Sequence, residues 1–585
     1  MILLALLVLP GGRAGAVGAQ FAPCEGSSAV RCGTVSVPLD RRGVVAGKID
    51  LHVEELPADG RRRGVVFVLS GGPGQAGTRL YDLAADGARL RARFPGYTLV
   101  AFDPRGTGES GALRCPSLET GTDFVEDMAN CAEAIGPAVP FYSTKDHAED
   151  IDAIRVALGV DRIALWGASY GAKLALAYAL AHRGNVTRLL LDSPLPASGP
   201  DAYGRTILRA LPRAFRSLCA DGYCKGVTRN LVADLAAVAN VLQKRPLRKG
   251  SVFVDGQRLL SLALGSDSNP GLRSQVPTAI AAARNGRPAL LIRLSTPAGR
   301  VAPDPTFSLP LYVATTCADA SFPWQPDTPL ADRERAYEEA VEALPRDAIG
   351  PFGPWAAETG IAHYCSFWPP SGPGVRLAGG PLPDVPVLVL SGGYDMRTPT
   401  ESARTIARLF RRGRLLVVPG VGHGVLAGDF SRCAERAVLT WLDGARPRSS
   451  CSRVRPVLAP VGRLGALPTG RRVPAARARE AVAATLRSAA AAWYTSGRGP
   501  GGARLPGLFA GQLSSKDADS FSLSRFSDIK GVELSGRLEA FSTARGSLVQ
   551  LRGTVKITGR VDVRGVVTVS EGRLTGRLGG SPISR

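Results

Sequence analysis

Short unbroken apolar runs alternate with stretches whose apolar residues recur every three or four positions. Val65–Leu69, Thr98–Phe102, Ile163–Trp166 and Arg188–Leu191 have the length and composition of buried strands. His147–Leu158 sets Ile151, Ile154 and Leu158 on one helical face, and Leu174, Ala177, Tyr178 and Ala181 repeat that spacing further on. Strands alternating with helices predict a parallel sheet covered on both faces, an α/β fold. Ahead of it, Thr34–Pro38 and Ile49–Val53 alternate like lead-in strands. The sheet resumes at Pro386–Leu390 and ends at Arg414–Val418.

Between these blocks the pattern changes. Helical segments at 205–219, 229–243, 256–264, 275–284 and 331–343, broken by Pro-rich loops, predict a helical cap inserted over the sheet. After the last core strand, Ala475–Tyr494 reads as a helix. Val532–Leu534, Val555–Ile557, Val561–Val563 and Val567–Val569 read as strands of a small β domain, a sandwich or short solenoid. The expected division is a leader at 1–20, sheet domain at 21–195 and 379–445, and cap at 196–378. A basic Pro/Gly linker at 446–475 and a helix plus β-rich domain at 476–585 complete it.

A chain of 585 residues exceeds one core. Ile2–Leu9 is a short apolar run, and Val17-Gly18-Ala19 offers small residues before a cut near Gln20, as in a secretion signal that lacks its basic start. Cys24 lacks the small-residue context of a lipid anchor. No later run reaches the roughly 20 apolar residues needed to span a bilayer. A secreted or envelope-associated protein is expected. The ten cysteines, with no C-x-x-C, then read as disulfides rather than metal ligands. Sequence does not fix their connectivity; nearest-neighbour pairing, the simplest choice, is Cys24–Cys32, Cys115–Cys131, Cys219–Cys224, Cys317–Cys365 and Cys433–Cys451.

Net charge is +22, and residues 446–585 hold 24 basic against 8 acidic side chains. Two readings stand: arginine-biased composition, or a tail that adheres to an anionic cell-envelope polymer. No nucleic-acid reading motif is present, so nucleic acid is not an expected partner.

The candidate chemistry sits at strand ends. Gly167-Ala168-Ser169-Tyr170-Gly171 is G-x-S-x-G between a strand and a helix, a nucleophile elbow that lifts Ser169 above the sheet edge. Ser70-Gly71-Gly72-Pro73-Gly74 follows an early strand, where a glycine turn supplies a backbone N–H to an oxyanion. It lacks the G-K-[ST] of a phosphate loop. Asp395 follows a late strand as a triad acid would, and His423 follows the last strand as a general base would. The order Ser, Asp, His is that of α/β hydrolases. Asp103 and Arg105 are expected to hold the rim of the site. Asp319, Glu338, Glu339 and Glu342 are the acidic candidates for facing the cleft, against a default reading as solvated charges. His52 and His363 read as structural.

Together GGPG, DPRGTGES, GASYG, GGYDMRTP and GVGHG resemble the α/β-hydrolase peptidases of the proline iminopeptidase and tripeptidyl aminopeptidase group, over about residues 24–451. The exported, cysteine-rich branch is most similar. Ser70 stands where the iminopeptidase pattern has histidine, which favours the tripeptidyl branch. The resemblance implies Ser169 as nucleophile, Asp395 and His423 as its partners, and the N–H groups of Gly72 and Tyr170 as oxyanion hole. It implies release of amino acids or short peptides from free N-termini, with cap carboxylates binding the substrate amine. Asp319 is the first candidate among them. No metal or organic cofactor is implied. An esterase or lipase on the same scaffold is an alternative that the triad alone does not separate, because the cap decides. A non-catalytic envelope-binding protein is a second alternative.

Overall fold

The computed structural model describes residues 20–120, 124–195, 199–296, 306–325, 327–345, 347–369, 380–451, 457–470, 472–497, 503–517, 519–542 and 549–584. The expected leader lies outside the described residues except for Gln20.

The first strands are β1 (Ala22–Cys24), β2 (Ser27–Pro38), β3 (Lys48–Leu56), β4 (Gly64–Leu69), β5 (Tyr97–Phe102), β6 (Ile163–Ala168) and β7 (Val186–Asp192). A small hairpin, β8 (Leu247–Lys249) and β9 (Val252–Val254), belongs to the helical segment. β10 (Val387–Gly392) and β11 (Gly413–Val418) complete the main sheet in the order β1-β2-β3-β5-β4-β6-β7-β10-β11. Pairing is antiparallel from β1 through β3 to β5 and parallel from there on.

Wholly apolar strands suit a sheet covered on both sides. In β4, Val65, Phe67 and Leu69 enter one core while Val66 and Val68 enter the other. β10 divides in the same way, Val387 and Val389 against Leu388 and Leu390. The parallel strands therefore end together along one edge, and the loops there carry the candidate chemistry.

Five helices match the expected periodicity: Arg205–Ala220, Leu231–Lys244, Gly256–Gly265, Pro270–Arg284 and Leu330–Glu342. The fourth starts earlier than the expected 275, because Asn269 accepts the N–H of Leu272 at 2.9 Å and Pro270 occupies the first turn. Ala289–Ser295 and Leu309–Asp319 are helices that the periodicity does not predict. Both are buried around most of their circumference, so neither shows an apolar stripe.

The C-terminal residues form one antiparallel meander rather than a sandwich or solenoid. After β12 (Gly465–Ala466) come β13 (Ala503–Pro506), β14 (Ala510–Ser515), β15 (Ser520–Lys530), β16 (Val532–Ser542), β17 (Val549–Gly559), β18 (Gly565–Ser570), β19 (Arg573–Leu578) and β20 (Ser581–Ser584), each beside the next from β13 on. β12 adds to β15. Val561–Val563, expected as a strand, is a 3-10 turn, since only Val563 is buried and Val561 faces solvent. The helix Ala475–Ala492 packs under the sheet.

This tail shares a core with the cap. One apolar cluster joins Leu259, Val276 and Ile280 of the cap to Val482, Phe526 and Val555 of the tail. The segment read as a linker packs into it through Leu458, Val461, Leu464, Leu467 and Val473. Inside the seam, Arg293 donates from Nη1 to both carboxylate oxygens of Asp528 at 2.8 Å. Asp528 also accepts from Ser488 Oγ at 2.5 Å and from the N–H of Leu508 at 2.9 Å. All five expected disulfides are present. Among the described residues, no helix is long and apolar enough to cross a membrane.

Removing one member of a buried pair strands the other charge. Asp528→Ala is therefore expected to destabilise the cap–tail unit by about 3–5 kcal/mol. The check is a lowered urea midpoint followed by the fluorescence of Trp493, which is buried in the same core.

Candidate active site

Ser169 sits between β6 and the helix Tyr170–Ala181 with φ +57° and ψ −117°, a conformation that L residues hold only when their surroundings impose it. The surroundings are backbone. A Cβ on Gly167 would lie 2.1 Å from the carbonyl oxygen of Gly171, and one on Gly171 would lie 2.3 Å from that of Leu69. The N–H of Ser169 donates to the carbonyl of Asp192 at 2.9 Å. The turn after β4 lies against the nucleophile: a Cβ on Gly71 would sit 3.3 Å from the carbonyl oxygen of Ala168 and 3.5 Å from Ser169 Cβ.

Tyr170 is buried behind the elbow. Its hydroxyl lies 2.8 Å from Thr144 Oγ1 and 2.7 Å from His147 Nδ1. Burial pushes His147 down to about 4, so its ring is neutral near pH 7.

The acid loop follows β10. Asp395 is fully buried; it accepts the N–H of Thr398 at 2.9 Å and the Thr398 hydroxyl at 2.7 Å. His423 Nδ1 lies 3.0 Å from Asp395 Oδ2 and 3.0 Å from Thr398 Oγ1. A proton on Nδ1 satisfies both contacts and leaves Nε2 as the acceptor. The histidine loop is tied down at β7. Val425 and Leu426 donate their N–H groups to the Asp192 carboxylate at 2.8 Å each, and Gly424 donates to Ser193 Oγ at 3.0 Å. Burial holds Asp192 above the usual carboxylate range, which these two N–H donors oppose.

Between these loops and the cap lies a cavity of about 480 Å³. Gly72, Ser169, Tyr170, Arg397 and Thr398 line its base. Three carboxylates line its walls: Asp201, Asp319 and Glu358. Asp201 pairs with Arg205 at 2.9 Å. Asp319 accepts from Lys173 Nζ at 2.8 Å and from the hydroxyl of Thr144. Glu358 pairs with no cation among the described residues. Burial and the neighbouring charge of Asp255 raise it above the usual glutamate range, while a hydrogen bond from Gln257 opposes them.

Residues 64–224 match the family described as alpha/beta hydrolase fold, and residues 351–451 match one described as TAP-like protein. The chain has the α/β-hydrolase fold. It is 26% identical over 460 residues to a tripeptidyl aminopeptidase of Streptomyces lividans, covering 71% of this chain and 81% of that protein. It is 27% identical over 485 residues to serine protease Hip1 of Mycobacterium tuberculosis, covering 73% and 88%. It is also 27% identical over 461 residues to carboxylesterase B of the same organism, covering 72% and 85%. A chain of this fold with these relatives is a serine hydrolase.

The hydrolase brings Gly72, Ser169, Tyr170 and Asp319 together around one cavity, and places Asp395 and His423 in mutual contact beside it. Glu338, Glu339 and Glu342 lie on the solvent side of their helix. Asp103 and Arg105 are not at the rim. Asp103 is buried under the hydroxyl and N–H of Thr78, and Arg105 grips Asp150 at 2.7 and 2.6 Å. Sequence reading passed over Glu358, Thr398 and Asp192. Thr398 follows the acid at a fixed spacing of three residues and was visible as part of GGYDMRTP. Glu358 carried no local signal.

Thr398→Val removes the hydroxyl that both Asp395 and His423 meet. We expect kcat to fall about tenfold with KM changing less, as for loss of a hydroxyl that donates to the Asp395 carboxylate and also meets His423 Nδ1. Steady-state kinetics on any turned-over amide or ester checks it.

Proposed function

We propose that this serine hydrolase is an exported aminopeptidase that releases amino acids or short peptides of tripeptidyl or prolyl type from free N-termini. The observation that carries the reading is Glu358, a carboxylate without a cationic partner in the wall of the cavity above Ser169. A substrate α-ammonium supplies the missing charge. Asp319 lines the same cavity, but Lys173 answers its charge, so Glu358 is the stronger anchor and Asp319 the second.

In this reading Ser169 Oγ attacks the scissile carbonyl while His423 Nε2 takes its proton. Asp395 keeps the Nδ1 proton in place and stabilises the imidazolium. The N–H groups of Gly72 and Tyr170 receive the oxyanion. His423 then protonates the departing amine, and water repeats the sequence on the acyl-enzyme. The cap roof limits the chain length that fits. Peptidase relatives support peptide substrates; the relative named carboxylesterase B keeps an esterase on the same scaffold as the second reading. Five disulfides support export.

The test compares a tripeptidyl fluorogenic amide with its N-acetylated twin, for wild type, Ser169→Ala and Glu358→Gln. Expected are cleavage of the free-amine substrate alone, no turnover by Ser169→Ala, and a KM about fivefold higher in Glu358→Gln, the scale of one ion pair at a solvent-exposed carboxylate on the cavity wall. Because Glu358 is raised above its usual range, it takes up a proton early on acidification, so the wild-type KM rises as pH falls through that range. Glu358→Gln lacks this rise. Equal cleavage of both amides removes the free-amine requirement and the role of Glu358, and turnover of simple esters only makes the protein an esterase.

For the tail we propose contact with an anionic envelope polymer. Arg537, Arg552, Lys556, Arg573 and Arg577 are exposed on its strands. Full-length Ser169→Ala protein is expected to bind immobilised dextran sulfate at low salt and to elute by about 0.5 M, where the Debye length shrinks below charge spacing. Lys556→Glu with Arg577→Glu should elute earlier, and elution unchanged by the reversal removes the tail as the binding surface.

A further inference from the structure

Asp267 lies in the cap, in the loop between the helices Gly256–Gly265 and Pro270–Arg284, yet nearly all its bonds go to the two loops that carry the acid and the base. Its Oδ1 accepts from Arg397 Nη2 at 2.6 Å and from Arg397 Nε at 3.1 Å. Its Oδ2 accepts from the backbone N–H groups of Met396 and Arg397 at 3.4 and 3.3 Å. These are the residues directly after Asp395. Its carbonyl oxygen accepts the N–H of His423 at 3.0 Å. The approach is so close that a Cβ on Gly422 would fall 1.6 Å from that oxygen.

Asp267 is in turn held from behind. Arg273 donates to its carbonyl at 2.5 Å and to that of Ser266 at 2.9 Å, and its guanidinium lies 5.1 Å from the ring centre of Tyr394. Arg213, also in the cap, donates to the carbonyls of Gly393 and Asp395 at 2.8 and 3.1 Å. The acid loop and the base loop therefore both meet the cap at Asp267, the first through its carboxylate and the second through its carbonyl, and Arg213 adds a second hold on the acid loop.

We propose that Asp267 is a positioning residue for the Asp395–His423 pair, so that seating of the cap and registration of the triad are a single event. This rests on the assignment of Ser169, Asp395 and His423 made above. Asp267 touches no reacting atom; it works through Arg397 and through the peptide N–H groups flanking the acid and the base. The Asp267 carboxylate is fully buried, and the Arg397 guanidinium keeps it ionised against the opposing effect of burial. The charged groups around His423 are Asp395, Asp192 at the end of β7 and Asp267, with Arg397 and Arg273 behind Asp267.

Asp267→Asn keeps the shape and the carbonyl and removes the charge. Expected is a kcat about a hundredfold lower at near-constant KM, the scale of a small misplacement of a reacting group. A role confined to stability lowers the folded fraction but leaves kcat per folded, active-site-titrated enzyme unchanged. In a double-mutant cycle with Arg397→Gln the two losses are expected to be strongly non-additive, because both act through one contact. Where Asp267→Asn does not fold, the paired variant Asp267→Leu with Arg397→Met removes both charges and is expected to fold and be equally slow. A folded variant with wild-type kcat overturns the proposal. Ser169→Ala, run alongside, tells this failure from failure of the triad itself: retained turnover there removes the nucleophile assignment whatever Asp267 does.

Discussion

The site depends on a backbone crossing that leaves no room for a side chain. Where the elbow passes over the end of β4, Gly171 meets the carbonyl of Leu69 and Gly167 meets the carbonyl of Gly171. That contact forces Ser169 into its left-handed conformation and sets the height of its hydroxyl. The energy to hold the conformation comes from the apolar strands on either side, which are locked into two cores and cannot drift. The histidine loop is referred to the same frame, because Asp192 receives the Ser169 N–H through its carbonyl and the Val425 and Leu426 N–H groups through its carboxylate. The Ser169 turn and the His423 loop are thus spaced by one residue at the end of β7.

What could be read from sequence follows from the range of the interactions. The elbow, the acid loop and the histidine loop are each short, glycine-marked and attached to an apolar strand, so their chemistry is written within a few residues. The disulfides were legible for a similar reason, since each closes a nearby loop. Asp267 and Glu358 were not. Asp267 finds Arg397 across 130 residues of sequence, and no spacing rule connects a cap loop to a strand end. Leu309–Asp319 escaped because a helix buried nearly all round has no polar face to set its period. Val561–Val563 misled because V-D-V imitates the alternation of a strand in a segment too short to pair.

Composition misled about the tail in a more instructive way. A run rich in Arg, Pro and Gly reads as a linker, but five of its apolar residues are enough to fasten it into the cap core. The tail becomes part of the support behind the helix Pro270–Arg284, the same helix whose Arg273 braces Asp267. Inside the seam the Arg293 and Asp528 charges are buried as a pair, whose members would be costly unpaired. The basic surface and the apolar seam are two faces of one layer.

The shared core also sets an order in time. The cap is translated well before the helix Ala475–Ala492 and the strands that cover it. Until those segments arrive, Leu259, Val276 and Ile280 have nothing to bury against on that side, and non-local contacts of this kind form late. The earlier sheet domain, with its elbow already folded, would wait beneath an unfinished roof. A chain built this way completes its cap only when its last-made segments have folded onto it.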